Sequence, residues 1–266
     1  MIKKIIASAV IALGLAASGS ASAIVVNGVN FGTPGTTHLE TTTLAETYVN
    51  AVGQTLTGYG VVNTVNGNPL YATTPGQYLY FVLNYTVSAF NVDAMGQGTV
   101  GFNAGTVNLY LNPFINLLNQ SSAANLATIQ GGNLWATLAG HTSAPTGTEL
   151  FATGALTGAQ LSFNGAGLLD IASGANGVFN FLNGNSIADG LGGFADIGVT
   201  TSGSNTQLNI NDNTTGCTTG RAEVGQWCFQ GSADLRGATV PEPGVLSLVG
   251  LGLLGMGAAL RKRKSA

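Results

Sequence analysis

Short segments of alternating apolar and polar residues dominate the chain between its two ends. In the segment 107–111, alternation places Val107, Leu109 and Leu111 on one face of a strand. Residues 78–87 are rich in aromatic and β-branched side chains, which is typical of a buried strand. Further strands are predicted at Val61–Val65, Thr99–Phe102, Gly147–Gly154, Ala159–Phe163, Val178–Leu182 and 208–211.

Glycine and asparagine separate these segments at short intervals, as at Asn66-Gly67, Asn164-Gly165 and Asn183-Gly184. Such steps tolerate the positive φ angles of tight hairpin turns. Helix is expected only over Leu39–Val52 and as one or two turns within Pro113–Ile129. The pattern predicts an all-β sandwich or jelly-roll-like domain with few short helices.

The N-terminal residues 1–23 have the three parts of an export signal. Lys3 and Lys4 precede an apolar stretch at 5–17, and Ala21-Ser22-Ala23 is a small-residue cleavage site. We expect a signal helix that is recognised by the Sec export machinery and cleaved after Ala23. An uncleaved anchor is the alternative, although about 13 apolar residues are short for a bilayer core of roughly 30 Å.

The C-terminal residues 239–264 form a second distinct segment, in three parts. Pro241-Glu242-Pro243 cannot continue a helix or join a central strand. Residues 244–260 carry no charge and span about 25 Å as a helix, the short end of the transmembrane range. The stop-transfer cations that follow are Arg261, Lys262, Arg263 and Lys264. The positive-inside rule predicts a transmembrane helix with these cations in the cytoplasm and the body outside.

This order of parts resembles the PEP-CTERM sorting domain, over about a tenth of the chain. The resemblance implies an exosortase that recognises and cleaves near Pro241-Glu242-Pro243. It further implies a Gram-negative bacterium that makes exopolysaccharide, an inner-membrane-anchored precursor, and delivery of the body to the cell surface or extracellular matrix. An ordinary C-terminal anchor without processing is the alternative. The predicted organisation is a signal peptide at 1–23, an exported all-β domain at 24–238 and a sorting signal at 239–264.

Removing both ends changes the charge of what remains. Residues 24–240 contain ten acids, against only Arg221 and Arg236 and no lysine, which gives a net charge of −8 with neutral histidines. Such a body has no basic patch to neutralise phosphates, so nucleic-acid binding is not expected.

Cys217 and Cys228 are the only cysteines of the chain. In an exported protein they predict a disulfide that closes a short loop. A two-cysteine metal site is the competing interpretation, but no histidine lies nearby in the sequence.

Groups suited to catalysis are scarce in the body. His38 and His141 lie about a hundred residues apart, no Gly-x-Ser-x-Gly elbow is present, and His141 is expected in an exposed loop. The carboxylates weighed as a glycosidase pair, with surface acids in loops as the alternative, are Glu149, Asp170, Asp189 and Asp196.

Two further features of the sequence are candidates for ligand binding. The oxygen-rich run at 209–213 offers calcium ligands, but an Asn-rich turn is favoured because the spacing of an EF-hand loop is missing. Trp135 and Trp227 are candidates for stacking on sugar rings, and core packing is favoured for both. No metal, cofactor or catalytic residue is predicted.

The expected function is therefore non-enzymatic. The chain is predicted to be a structural or adhesive protein of an exopolysaccharide matrix, biofilm or floc. The alternatives are a carbohydrate-binding module and a secreted carbohydrate-active enzyme.

Overall fold

The computed structural model describes residues 23–33, 35–205, 211–212 and 215–240, together with the single residue 253. Strands account for most of these residues, and the few helices are short. The strands are β1 (Ile24–Val26), β2 (Val29–Gly32), β3 (Thr36–Thr47), β4 (Thr55–Val61), β5 (Thr64–Val65), β6 (Gln77–Val92), β7 (Gln97–Pro113), β8 (Asn133–His141), β9 (Leu150–Ala155), β10 (Ser162–Gly174), β11 (Ile187–Ala188), β12 (Phe194–Ala195), β13 (Ile197–Ser204) and β14 (Trp227–Ala238). The helices are α1 (Ser122–Gln130), α2 (Val178–Leu182) and α3 (Thr215–Thr219).

The main sheet is antiparallel and closes on itself. Its order is β13-β14-β3-β4-β6-β7-β8-β10, and the ring is completed because β10 also pairs with β13. Strand β9 fills the space between β7 and β10 beyond the end of β8, while β5 continues the position of β4 beside β3. The all-β class and the few short helices are confirmed, but the architecture is a closed barrel-like sheet rather than a sandwich of two sheets.

The two longest strands, β6 and β7, form one hairpin of the sheet. Residues 78–87 and 107–111 lie within it as predicted. Its turn is built by Asp93, whose carboxylate accepts hydrogen bonds from the backbone N–H groups of Met95 and Gln97 at 2.8 and 3.0 Å. Gly96 supplies the positive φ of 81° that the turn requires.

Strand β3 replaces the helix that was predicted over Leu39–Val52, and that prediction is wrong. Leu39 and Thr41 point into the barrel, and after a register shift opposite Gly231 and Ala233 the inward residues are Leu44 and Glu46. This irregularity breaks the alternation of apolar residues that marks a strand. Pairing with β14 along nearly the whole of β3 outweighs the local helical preference.

The prediction of a strand over Val178–Leu182 is also wrong, because these residues form helix α2. Its buried residues, Val178, Phe181 and Leu182, have the i, i+3, i+4 spacing of a helix face. Helix α1 confirms the turns expected within Pro113–Ile129 and packs on the outside of the barrel, where Ile129 joins a cluster with Tyr59 and Tyr80.

Aromatic side chains close one end of the barrel. The hairpin of β1 and β2 places Phe31 against Phe181 of α2 and Trp135 of β8, with ring centroids 4.8 and 6.1 Å apart. All three are buried. We call this end, formed by residues 23–33, 62–76, 114–132, 175–186 and 239–240, the tail-bearing end. The opposite end, formed by 48–54, 93–96, 156–161, 205 and 215–226, is the disulfide end.

No helix among the described residues is long and apolar enough to cross a membrane. The predicted signal helix and C-terminal helix lie outside the described residues, apart from Ala23, Thr239, Val240 and Leu253. Ala21, the Pro-Glu-Pro motif, the basic cluster and the predicted strand residues 208–210 also lie outside them.

Candidate functional site

The last strand delivers the C-terminal segment at the tail-bearing end. Beyond β14, the Val240 N–H donates to the carbonyl of Phe181 at 2.9 Å. Thr239 is buried, and its side-chain oxygen accepts a hydrogen bond from the N–H of Gly35 at 2.9 Å. The chain is therefore held by the folded body up to the residue that precedes Pro241.

The ranges that define the tail-bearing end contain no charged residue of their own, although Thr64 and Ser122 within them bind the carboxylates of Glu40 and Asp212. Several large apolar side chains are exposed there. The most exposed are Leu70 at 84% and Phe114 at 68%, followed by Leu118 at 54% and Val25 at 50%. Phe179 and Val240 are exposed to a smaller extent.

The predicted disulfide is present at the opposite end. Cys217 and Cys228 are bonded, with their Cα atoms 5.5 Å apart, and both are buried beside Tyr48 and Leu161. The bond ties helix α3 to the first residues of β14. The two-cysteine metal interpretation is thereby replaced by a structural one.

His141 does not lie in an exposed loop, so that prediction is wrong. It is the last residue of β8, and its Nδ1 and Nε2 atoms lie 2.7 Å from Asp170 and 3.1 Å from Asp189. Burial alone would lower the pKa of His141, but the hydrogen bonds and attraction of the two carboxylates hold that pKa above its ordinary value. The N–H of Leu191 and the imidazole of His141 lower the pKa of Asp189.

This Asp170–His141–Asp189 cluster joins a loop to the barrel wall. Asp170 lies on β10, the neighbour of β8, whereas Asp189 belongs to the loop between β11 and β12. Asp189 also accepts hydrogen bonds from the N–H groups of Leu191 and Gly193. An imidazole that bridges two carboxylates holds the loop in place, and the sequence did not reveal the cluster because its members are up to 48 residues apart.

The other two carboxylates weighed from the sequence have structural partners. Asp196 is 2% exposed and accepts hydrogen bonds from the backbone N–H groups of Ile171 and Asn185. Glu149 accepts a hydrogen bond from the N–H of Gly105 at 2.6 Å. Asp196 thereby positions the start of β13, and Glu149 the start of β9.

A second histidine cluster lies on the outer wall near the tail-bearing end. Nε2 of His38 is 2.9 Å from Asp234 and 3.4 Å from Glu40, which face each other across β3 and β14. Arg236 binds the other oxygen of Asp234 at 3.0 Å, and Thr64 donates to the other oxygen of Glu40 at 2.5 Å. Burial acts to raise the pKa of Asp234, but hydrogen bonds from His38 and Arg236 outweigh it and lower that pKa.

Of the described residues, His38, Glu40 and Asp234 are the group whose ligand atoms lie close enough to hold a metal ion, within 4.8 Å of one another. The imidazole already bridges the two carboxylates, which would otherwise repel each other as a like-charged cross-strand pair. Hydrogen bonds from His38 and Arg236 to Asp234, and from Thr64 to Glu40, account for the position of these two carboxylates.

A polar groove of about 540 Å³ runs beside this second cluster. Its walls are the outer faces of β3, β5, β10, β13 and β14, and hydroxyl and amide groups predominate. The groove is lined by Glu40, Thr42, Asn63, Thr64, Asn164, Thr200, Ser202, Ser232 and Asp234, among others. Such a surface offers many hydrogen-bonding groups and little charge.

The interior of the barrel holds two small cavities of about 40 Å³ each, and Glu46 lines both. They have room for a few water molecules and are far below the 300–1,000 Å³ that is usual for ligand pockets. Glu46 is 4% exposed and packs over Gly58, where a Cβ atom would lie 2.9 Å from its Cγ. Burial alone raises the pKa of Glu46 to about 8. The burial of Glu46 was not predicted from the sequence.

The remaining candidates have packing or capping roles. Trp135 is 1% exposed and donates to the carbonyl of Asn27, while Trp227 packs edge-on against Tyr59 at 5.2 Å. In the run at 209–213, Asp212 binds both the N–H and the hydroxyl of Ser122 at the start of α1. Residues 209, 210 and 213 of that run lie outside the described residues.

Comparison with known families identifies the C-terminal segment. Residues 239–264 match the model of the PEP-CTERM protein-sorting motif, which confirms the resemblance. The chain therefore carries the signal of an exported, membrane-processed protein whose sorting depends on an exosortase, and the exosortase is its processing partner. No curated protein and no solved structure matches the chain.

Proposed function

We propose that this protein is a non-enzymatic structural or adhesive component of the cell surface or exopolysaccharide matrix of a Gram-negative bacterium. In this proposal the precursor is anchored in the inner membrane by its C-terminal segment until an exosortase processes it. The observation that carries the proposal is the sorting motif at 239–264, joined directly to a folded body that contains a disulfide.

The chemistry of the body supports a structural role. Its titratable clusters join strands and loops through hydrogen bonds, as in the Asp170–His141–Asp189 bridge. Its interior cavities are too small for an organic substrate. Much of its hydrated surface consists of hydroxyl and amide groups, which can associate with a hydroxyl-rich polysaccharide without relying on charge.

The test is made in the native host. A deletion strain is expected to form weaker flocs or biofilm and to release less protein into the matrix, and a wild-type copy should restore both. A Glu242→Ala copy is expected to accumulate as the anchored precursor. Mass spectrometry of the extracellular protein should find both termini processed. Unchanged aggregation and matrix composition in the deletion strain would argue against the proposal.

The polar groove favours carbohydrate binding as a second candidate function. Asn164 and Thr200 are exposed within it and are available to a sugar. If the groove binds glycan, Asn164→Ala should weaken retention on the host polysaccharide, whereas Asn91→Ala, an exposed asparagine elsewhere on the barrel, should not. Equal retention of both variants and the wild type would remove this candidate.

A further inference from the structure

We infer that the tail-bearing end of the barrel is a lipid-contact surface, which rests against the outer headgroup layer of the inner membrane while the precursor is anchored. The inference rests on the proposed insertion of residues 244–260 into that membrane. It adds a specific orientation of the folded body, with the disulfide end pointing away from the bilayer.

The length of the connection limits how far the body can stand from the lipid. Val240 is hydrogen-bonded to Phe181, and the uncharged run begins at Gly244. Four residue steps span at most about 14 Å even when fully extended. A headgroup layer is roughly 5–7 Å thick on each side of the hydrocarbon. The tail-bearing end therefore lies at or just above the headgroups, and no long linker separates it from them.

The chemistry of this end suits a position at the headgroups. Its defining ranges contain no charged residue, which limits the desolvation of ions on approach to the bilayer. The carboxylates of Glu40 and Asp212 border these ranges, where each accepts a hydrogen bond, from Thr64 and Ser122 respectively. Leu70, Phe114 and Val25 expose apolar side chains of the kind that enter the boundary between headgroups and acyl chains. Asparagine and threonine side chains around them can bind headgroup oxygens.

The disulfide end has a different composition, although it too exposes apolar residues. Met95 is 88% exposed and Val52 is 62% exposed. Asp93, Arg221 and Glu223 lie in the loops of this end. Exposed apolar residues alone do not distinguish the two ends, whereas the absence of charge and the attachment of the tail do.

The buried residues at the tail-bearing end support one orientation of the folded body on the bilayer. Phe31, Trp135 and Phe181 form a buried aromatic cluster at the tail-bearing end, and the carbonyl of Phe181 accepts the hydrogen bond of the Val240 N–H. This end therefore meets the bilayer as one packed unit, so that contacts near residues 70, 179 and 240 form together.

The experiment uses the full-length precursor in vesicles of phosphatidylethanolamine and phosphatidylglycerol. Single cysteines that carry an environment-sensitive fluorophore are placed at Leu70→Cys and Phe179→Cys. Matched controls at the disulfide end are Met95→Cys and Val52→Cys, with exposures of 88% and 62%. Nitroxide-labelled lipids quench a fluorophore only at close range. Quenching is expected at positions 70 and 179, with no loss of fluorescence at 95 and 52.

Flotation and alkaline extraction of the same vesicles report insertion of the C-terminal segment separately. If the protein floats and resists extraction but positions 70 and 179 are quenched no more than 95 and 52, the lipid-contact surface is ruled out and the anchored topology stands. If the protein does not float, the proposed insertion is wrong and the inference falls with it.

Discussion

The two ends of the barrel are closed in different ways. At the tail-bearing end, the β1–β2 hairpin and α2 bring Phe31, Trp135 and Phe181 into one buried aromatic cluster. At the disulfide end, a covalent bond ties α3 to β14, and the nearby interior retains a small cavity lined by the acidic residue Glu46. One end is held by packing, and the other by a cross-link.

This difference corresponds to what each end must withstand. In the anchored precursor that we propose, the tail-bearing end meets the membrane, and a rigid, packed surface suits that position. The disulfide end has a covalent bond instead, which restricts the unfolded chain in the oxidising medium outside the cytoplasm. The comparison predicts that substitutions at the two ends differ in size and in dependence on pH and redox state.

The largest effect is expected from Phe31→Ala at the tail-bearing end. Phe31 is 1% exposed, and removing its ring leaves a cavity between Trp135 and Phe181, so the free energy of unfolding should fall by about 4 kcal/mol. Urea unfolding measures this loss. The control is Leu70→Ala at the same end, where 84% exposure predicts a change within about 0.5 kcal/mol. Equal losses in both variants would contradict the packed closure.

A pH-dependent effect is expected from Glu46 in the barrel interior. The folded protein holds this proton up to about pH 8, whereas the unfolded chain releases it near 4.5. Unfolding therefore becomes easier as pH rises between those values, by about 3 kcal/mol from pH 4 to pH 7. Glu46→Gln should remove this slope and be more stable than the wild type at pH 8. Unfolding curves at several pH values provide the measurement. If the free energy of unfolding depends on pH in the same way in the wild type and in Glu46→Gln, Glu46 is not a buried neutral acid.

Removal of the disulfide should destabilise the disulfide end, and the loss of unfolding free energy should be somewhat smaller than the effect of pH on Glu46. The bond joins residues 11 apart in the sequence, and closing so short a loop contributes about 2–3 kcal/mol through the unfolded state. The Cys217→Ser, Cys228→Ser double variant should match the reduced wild-type protein in urea unfolding. Proteolysis should become faster in the described loop residues 215–226, with the tail-bearing end unchanged. If cleavage starts near Phe181 instead, the disulfide stabilises the tail-bearing end rather than the disulfide end.

The smallest effect is expected at the Asp170–His141–Asp189 bridge between the ends. The raised pKa of His141 means that the bridge stabilises the fold below the ordinary histidine pKa and loses this contribution as pH rises through the folded value. His141→Gln should lower the free energy of unfolding by less than about 1 kcal/mol at pH 5, and by less still at pH 8. The pH dependence of unfolding tests this, with His38→Gln as a second imidazole variant for comparison.

Local sequence patterns correctly predicted the strands and turns whose conformation does not depend on which other elements they pack against. Residues 78–87 and 107–111 form strands in any context that buries one face, and the short turns of α1 within Pro113–Ile129 were expected. The region of β3 was predicted as helix because its register shift interrupts alternation, and α2 was predicted as strand because five apolar-rich residues are too few to distinguish the two periods.

The sequence by itself determined the sorting motif at 239–264, the pairing of Cys217 with Cys228, the all-β class and the scarcity of charge in the body. Each of these depends on the order or identity of residues close together in the chain. Only the tertiary structure decided the closure of the sheet, the carboxylate partners of both histidines, the burial of Glu46 and the uncharged end from which the tail emerges. These depend on contacts between residues distant in sequence, because β14 must return beside β3 and β13 beside β10 before any of them exists.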